Sequence, residues 1–169
     1  MEGNFRRSAV LGSRGTDGEN KTSKVSIHQL MNKIFIDTNI LVYALDNRDN
    51  DKMNKARNIL RKVIYENKPV ISTQVINEFY VAATKKLNID KTLIKTIVHN
   101  FKNMEIITSD LQLTENAINI SIESQISFWD SLIIAAAEKA NCKLIISEDL
   151  NSGQKYQEIS LINPFQQEI

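Results

Sequence analysis

Ile34-Phe35-Ile36-Asp37-Thr38-Asn39-Ile40-Leu41 reads as a strand that stops at an acid and turns into a helix. Three consecutive apolar residues with no polar alternation suit a strand covered on both faces. An aspartate directly behind them ends the run and is among the best residues to cap a following helix. The pattern recurs at Leu144-Ile145-Ile146-Ser147-Glu148-Asp149, where an apolar run again gives way to acid.

Working outward from these two stretches, the chain alternates short apolar runs with amphipathic ones. A short helix is expected at 40–45, and a second at 51–66 with Met53, Ala56, Ile59, Leu60 and Val63 at helical spacing, ending near Pro69. A strand at Val70-Ile71 follows, then helices over 73–87 and 90–102, a strand at Met104–Ile107 and a helix over 110–124. The next helix, 129–140, carries its apolar stripe on Trp129, Leu132, Ile133, Ala136, Ala137 and Ala140, and leads into strand 143–146. A last strand lies around Leu161-Ile162, before Pro164. Continuous apolar strands separated by helices imply an α/β domain whose central parallel sheet, of four to five strands, is flanked by helices on both faces.

Composition bounds what such a domain does. A chain of 169 residues, 42% apolar, fits one domain with a real core. Its longest purely apolar run, Leu132–Ala137, is far short of the ~20 residues a bilayer span needs, so no membrane partner is expected. Cys142 is the only cysteine, which excludes an internal disulfide and fits a buried thiol in a cytoplasmic protein. With two histidines, His28 and His99, there is little material for a zinc cluster or a Ser/His/Asp triad. Carboxylates must carry any chemistry.

The net charge of +1 hides a division: residues 33–102 hold 13 Lys/Arg against 7 Asp/Glu, and residues 103–169 hold 3 against 10. A basic half can grip a polyanion while metals sit near the acidic one, although ordinary solvated helix faces explain the same counts. Residues 1–30 hold four of the five glycines and no sustained apolar period. They are expected to be an unstructured leader, vector-derived or the product of a start assigned upstream of Met31. The domain proper is placed at 31–169.

Four acids are singled out, each with a structural explanation beside the functional one. Asp37 and Asp149 end two strands of one parallel sheet, the edge at which functional residues gather. Asp37 also suits a helix cap and Asp149 a turn. Asp130 opens helix 129–140, where Ser127-Phe128-Trp129-Asp130 matches a capping box. Glu78 lies early in helix 73–87, off the stripe of Ile76, Phe79, Ala83 and Leu87, where a solvated glutamate is equally natural. Taken together, the four are the oxygen donors that Mg²⁺ or Mn²⁺ takes in phosphoryl-transfer sites. Like charges packed closely raise one another's pKa, so such a pocket is expected to be strained without a cation. Asn39 and Ser147, beside Asp37 and Asp149, are expected to support carboxylate or water oxygens.

In this order and spacing, Ile34–Leu41, Asn77-Glu78-Phe79, Phe128–Ala137, Ile145–Leu150 and Ile162-Asn163-Pro164-Phe165 resemble the PIN-domain family, and within it the VapC-like toxin ribonucleases. The likeness spans about Lys33 to Phe165. It implies a Rossmann-like fold and a catalytic, metal-binding cluster at Asp37, Glu78, Asp130 and Asp149. It also implies Mg²⁺- or Mn²⁺-dependent endoribonuclease activity on RNA, frequent homodimers and, for the toxin of a type II pair, a cognate antitoxin partner. Glu148 stands where relatives often carry a neutral residue, and Asp149 is the acid expected to face the metal. Lys85, Lys86, Lys91, Lys95 and the group Arg57, Arg61 and Lys62 are open as phosphate contacts.

Two other readings stand beside this one. A non-catalytic PIN-like module would bind RNA or protein through the same groove, but has no need of a repelling carboxylate cluster. An aspartyl-phosphate enzyme would use Asp37 as nucleophile, yet that pattern wants a second acid two residues on, where Asn39 stands.

Overall fold

The computed structural model describes residues 32–150, 155, 156 and 158–169, and the expected leader at 1–30 lies outside them. In chain order the elements are β1 (Lys33–Ile36), α1 (Thr38–Tyr43), α2 (Asn50–Glu66), β2 (Lys68–Ser72) and α3 (Thr73–Val81), which continues into a π-helical turn (Ala82–Lys86). Then come α4 (Lys91–Asn100), a 3-10 turn (Phe101–Asn103), β3 (Glu105–Ile107), α5 (Leu111–Ser124), α6 (Phe128–Lys139), β4 (Leu144–Ile146), β5 (Lys155–Tyr156) and β6 (Ile159–Ile162).

The sheet order is β3-β2-β1-β4-β6-β5. Its first five strands run parallel, as the continuous apolar runs predict, and β5 pairs antiparallel with β6. The two-residue β5 is an addition to the sequence expectation, because a strand that short has no periodicity to detect. The chain runs outward from β1 to β2 and β3, then returns to place β4 on the other side of β1. The order therefore reverses between β1 and β4, and the crevice at their carboxyl ends is the topological switch point where α/β sheets bind ligands. Asp37 and Ser147-Glu148-Asp149 follow those two strands directly.

The core forms where the strands' apolar runs meet the helices. Phe35, Ile36, Val70, Ile71, Ile145 and Ile146 are fully enclosed. Pro69 lies inside β2, a strand with neighbours on both sides, without breaking a ladder. The Lys68 N–H points to Asn32 on the β1 side, so the missing N–H of Pro69 faces β3, whose pairing begins only at Val70. Helix α6 departs from its expected one-sided stripe, since every residue from Ser131 to Ala137 is buried. It sits between α5 and the sheet, and a helix apolar on all sides belongs in such a place. Trp129, read as part of the buried stripe, is 62% exposed. It stands in the first turn, beyond the reach of the neighbours that cover the rest.

Side-chain oxygens cap almost every helix that bears on the crevice. Ser72 accepts from Val75 N for α3, and Ser127 from Asp130 N for α6. Each such cap contributes about 1 kcal/mol. No helix among the described residues is long and apolar enough to cross a membrane.

Candidate active site

The crevice is a cleft of about 880 Å³, and Asp37, Glu78, Asp130 and Asp149 all line it. Four separate elements deliver them: the end of β1, the second turn of α3, the first turn of α6 and the loop after β4. Asp37 is buried, Glu78 and Asp130 are half-buried, and Asp149 is exposed.

Asp37 is the most enclosed and the most heavily bonded. Its Oδ1 accepts from Thr38 N at 2.6 Å, which caps α1. Its Oδ2 accepts from Ser147 Oγ at 2.6 Å and from Asn39 Nδ2 at 3.0 Å. Cap and site are therefore one arrangement: the cap fixes one oxygen and leaves the other to the crevice. Burial pushes the carboxyl up to about 6, and the charges of Glu78 and Asp149 push the same way, while the Ser147 and Thr38 hydrogen bonds oppose them.

Asn39 and Ser147 tie the two strand ends together. Asn39 Nδ2 also donates to Ser147 Oγ and to Asp149 Oδ2, each at 3.2 Å. Ser147 Oγ accepts from Asp149 N and Leu150 N, both at 3.2 Å, and so shapes the loop that carries Asp149. On the opposite wall, Glu78 accepts from Thr38 Oγ1 at 2.7 Å and from Gln74 Nε2 at 2.9 Å. Gln74 Nε2 further donates to Trp129 O at 3.3 Å, linking α3 to the start of α6.

Glu148 is turned away from the cleft. Both its carboxylate oxygens accept from Lys52 Nζ at 2.8 Å, and Oε2 also accepts from the Tyr43 hydroxyl. The Lys52 ammonium sits 3.8 Å above the Tyr43 ring, a cation–π contact that holds the group together. Partial burial raises the Glu148 carboxyl, but Lys52 and Tyr43 together outweigh it and hold the group below its usual range. Of the adjacent acids, only Asp149 faces the cleft.

The four acids share a cleft, not one coordination sphere. Among the described residues no three His, Cys, Asp or Glu side chains form a group that could hold a metal ion. The hydrogen bonds give the reason: the amide of Asn39 lies between Asp37 and Asp149, and the hydroxyl of Thr38 lies against Glu78. The expected strain is concentrated at Asp37, whose raised carboxyl records it, while neutral donors on Asp149 and Glu78 ease the crowding around it. The donor chemistry still fits a hard divalent cation, since every candidate ligand is a carboxylate oxygen. Mg²⁺ in particular is usually held by one or two carboxylates, with waters and substrate phosphate completing its shell.

Several cleft residues escaped the sequence reading. Thr38 sits inside the quoted D-T-N stretch and could have been found there. Gln74 precedes Glu78 by four residues, the helical spacing at which side chains meet. Trp129 was assigned to the core, and nothing in the sequence joins Lys52 or Tyr43 to Glu148. Cys142 is buried, and burial pushes its thiol up to about 12, so it is a core residue.

Comparison with known proteins bears on this geometry. The model of the PIN domain family matches residues 34–155. A comparison with curated proteins finds no match. Among solved structures, the fold is similar to a toxin–antitoxin complex from Klebsiella pneumoniae, with a TM-score of 0.60 and 18% identity over 78% of this chain and 97% of that one. It is similar to VapC20 of Mycobacterium tuberculosis, described as a sarcin–ricin loop cleaving toxin, with a TM-score of 0.56 and 16% identity over 69% and 91% of the two chains. VapBC2 from Rickettsia felis, bound to a DNA fragment from its promoter, also has a TM-score of 0.56, at 20% identity over 76% and 96%.

Proposed function

This chain belongs to the PIN-domain family, and on that premise we propose that it is a Mg²⁺- or Mn²⁺-dependent endoribonuclease, the toxin of a type II toxin–antitoxin pair. The observation that carries the reading is the convergence of Asp37, Glu78, Asp130 and Asp149 on one cleft at the switch point of the sheet. An acid buried to the degree of Asp37 costs stability when ionised, and a fold that keeps it next to other carboxylates gains only if a cation or a reacting group uses it.

Asp37, Asp130 and Asp149 would hold the cation, one or two of them directly and the rest through its bound waters, with Glu78 on the facing wall. When bound, such an ion lowers the pKa of a coordinated water and neutralises charge on the phosphate oxygens. The chain's own groups orient the acids around it. Asn39 and Ser147 fix the Asp37 and Asp149 oxygens, while Thr38 and Gln74 fix those of Glu78. No histidine is needed in this scheme.

A cytoplasmic location, a homodimer and an antitoxin partner go with the toxin reading. The cleft's apolar flank of Val42, Val81, Leu87, Trp129 and Ile133 suits a partner segment as well as the bases of RNA. One observation favours the alternative of a non-catalytic binding module, namely the neutral donors that separate the carboxylates. Incubating the purified chain with total RNA, with and without Mn²⁺, separates the two. The nuclease reading expects Mn²⁺-dependent fragments that vanish in Asp37→Asn and Asp130→Asn while both variants stay folded. Cleavage undiminished in both variants sinks it, and RNA binding indifferent to Mn²⁺ without cleavage favours the module.

A further inference from the structure

Resting on that nuclease reading, we propose that Lys86 is the side chain that grips an RNA phosphate inside the cleft, and that the π-helical turn after α3 selects it over Lys85. The cleft-lining residues of α3 are Gln74, Asn77, Glu78, Val81 and Ala82, a stripe at α-helical spacing. An α-helix continuing past Ala82 brings Lys85 to that stripe next. The turn Ala82–Lys86 is π-helical, with Leu87 N donating to Ala82 O five residues back at 3.1 Å. The wider turn carries one more residue, so Lys86, with Leu87 beside it, takes the place on the cleft wall. Both lysines are exposed, and only Lys86 lines the cleft.

The Thr84 hydroxyl donates to Tyr80 O four residues back at 2.7 Å within the segment where the ladder changes. The same bond at Thr96 leaves α4 regular, so it accompanies the turn without accounting for it. Single π turns are frequent at functional sites. Asn88, in the left-handed region at φ 53°, then ends the segment.

Charge distinguishes Lys86 from the other cation on the wall. Arg48 is held by Asp46 through two side-chain bonds, at 2.7 and 2.6 Å, and its guanidinium in turn holds the Asp46 carboxyl down to about 2. Lys86 forms no ion pair among the described residues. A lysine presented to a carboxylate-lined cleft without being tied to a carboxylate retains its charge for an incoming anion. The anion that this reading supplies is the RNA backbone, and contacts to it are independent of sequence.

The test compares Lys86→Gln with Lys85→Gln, each in the Asp37→Asn background to prevent turnover, by fluorescence anisotropy of a short labelled single-stranded RNA. Mg²⁺ is held fixed while KCl is varied. Loss of one phosphate contact lowers the log–log salt slope by about 0.7, which at 0.1 M monovalent salt corresponds to about fivefold weaker binding. Lys86→Gln is expected to show both effects, Lys85→Gln neither, and Lys86→Arg to restore them. With Asp37 intact, Lys86→Gln should raise KM for RNA and leave kcat within about twofold. Equal slopes and affinities for the two glutamine variants overturn the assignment and leave the nuclease reading intact. A fall in kcat at unchanged RNA affinity overturns it too, by placing Lys86 in the chemistry. A wild-type chain that neither binds nor cleaves RNA overturns both proposals.

Discussion

Replacing Asp37 by asparagine should stabilise the fold at neutral pH while removing its activity, and the stabilisation should vanish in acid. In the folded protein burial lifts this carboxyl to about 6, against 3.8 for an unburied one. The folded state therefore holds on to the proton more tightly than the unfolded state. The stability that proton confers is fully present below about 3.8, and is lost as pH rises through about 6. The shift of roughly two units corresponds to about 3 kcal/mol of stability given up by pH 7.

Asparagine removes the ionisation but not the crowding of donors. One of its two polar atoms becomes an NH₂ group facing Asn39 Nδ2 and Ser147 Oγ, which both donate to Asp37 in the wild type. A lost or reversed hydrogen bond there costs about 1 kcal/mol, leaving a net gain of about 2 kcal/mol at pH 7. At pH 4, just above the unfolded value, about 0.5 kcal/mol of the ionisation difference persists against the hydrogen-bond loss, so the variant should be the less stable of the two by about 0.5 kcal/mol. Urea unfolding at several pH values between 4 and 8, with EDTA present, measures the difference directly. With a slope of about 2 kcal/mol per molar urea, the midpoint difference should swing by more than 1 M and change sign. A difference that stays constant across the window refutes the burial argument, because every cause other than the ionisation of Asp37 is common to both ends.

Three further outcomes follow from the same structure. Mn²⁺ should raise the wild-type melting temperature by about 3–6 °C at tenfold excess over its Kd, as about 1.4 kcal/mol of linkage implies, and should do so by less than half as much in Asp130→Asn; equal shifts by scanning calorimetry would count against Asp130 as a ligand. Lys52→Ala leaves Glu148 without its cation and should lower stability by about 1–3 kcal/mol; because Glu148 and Asp149 share one loop, it should also weaken Mn²⁺ binding in calorimetric titration, and unchanged Mn²⁺ affinity would show that the ion pair does not position Asp149. Cys142, buried and with its thiol pushed up to about 12, should react with a thiol reagent only at the rate of unfolding, so fast labelling of the native chain would contradict its place in the core.

The fold was legible because its decisive features are local and repeated. Ile34-Phe35-Ile36 and Leu144-Ile145-Ile146 announce enclosed strands without reference to the rest of the chain, and an acid after each marks the edge at which the crevice opens. Ser72 and Ser127 cap their helices within three residues of themselves, so the starts of α3 and α6 were readable to within a residue or two. Asp37 and Asp149 were legible for a similar reason, because residues that end adjacent parallel strands must meet, whereas Glu78 and Asp130 stand on helices and came only from the family resemblance.

The features that escaped the reading are those in which a local pattern is overruled by something distant or by a small change of helical phase. Trp129 has the spacing of a core residue, yet α5 and the sheet cover α6 only from Ser131 onward, and an apolar side chain one turn too early is left at the cleft. Glu148 and Asp149 are alike in type and place, and only the family resemblance favours Asp149 from the sequence. What separates them is Lys52, 96 residues away, which captures the first and leaves the second to the crevice. The choice between Lys85 and Lys86 depends on one π-helical turn, Ala82–Lys86, that adds a residue to the helix. Periodicity analysis assumes a fixed rotation per residue, and a π turn breaks that assumption at the point where the stripe reaches its first cations. A regular helix here would carry Lys85 toward the cleft, and the π turn carries Lys86 there instead.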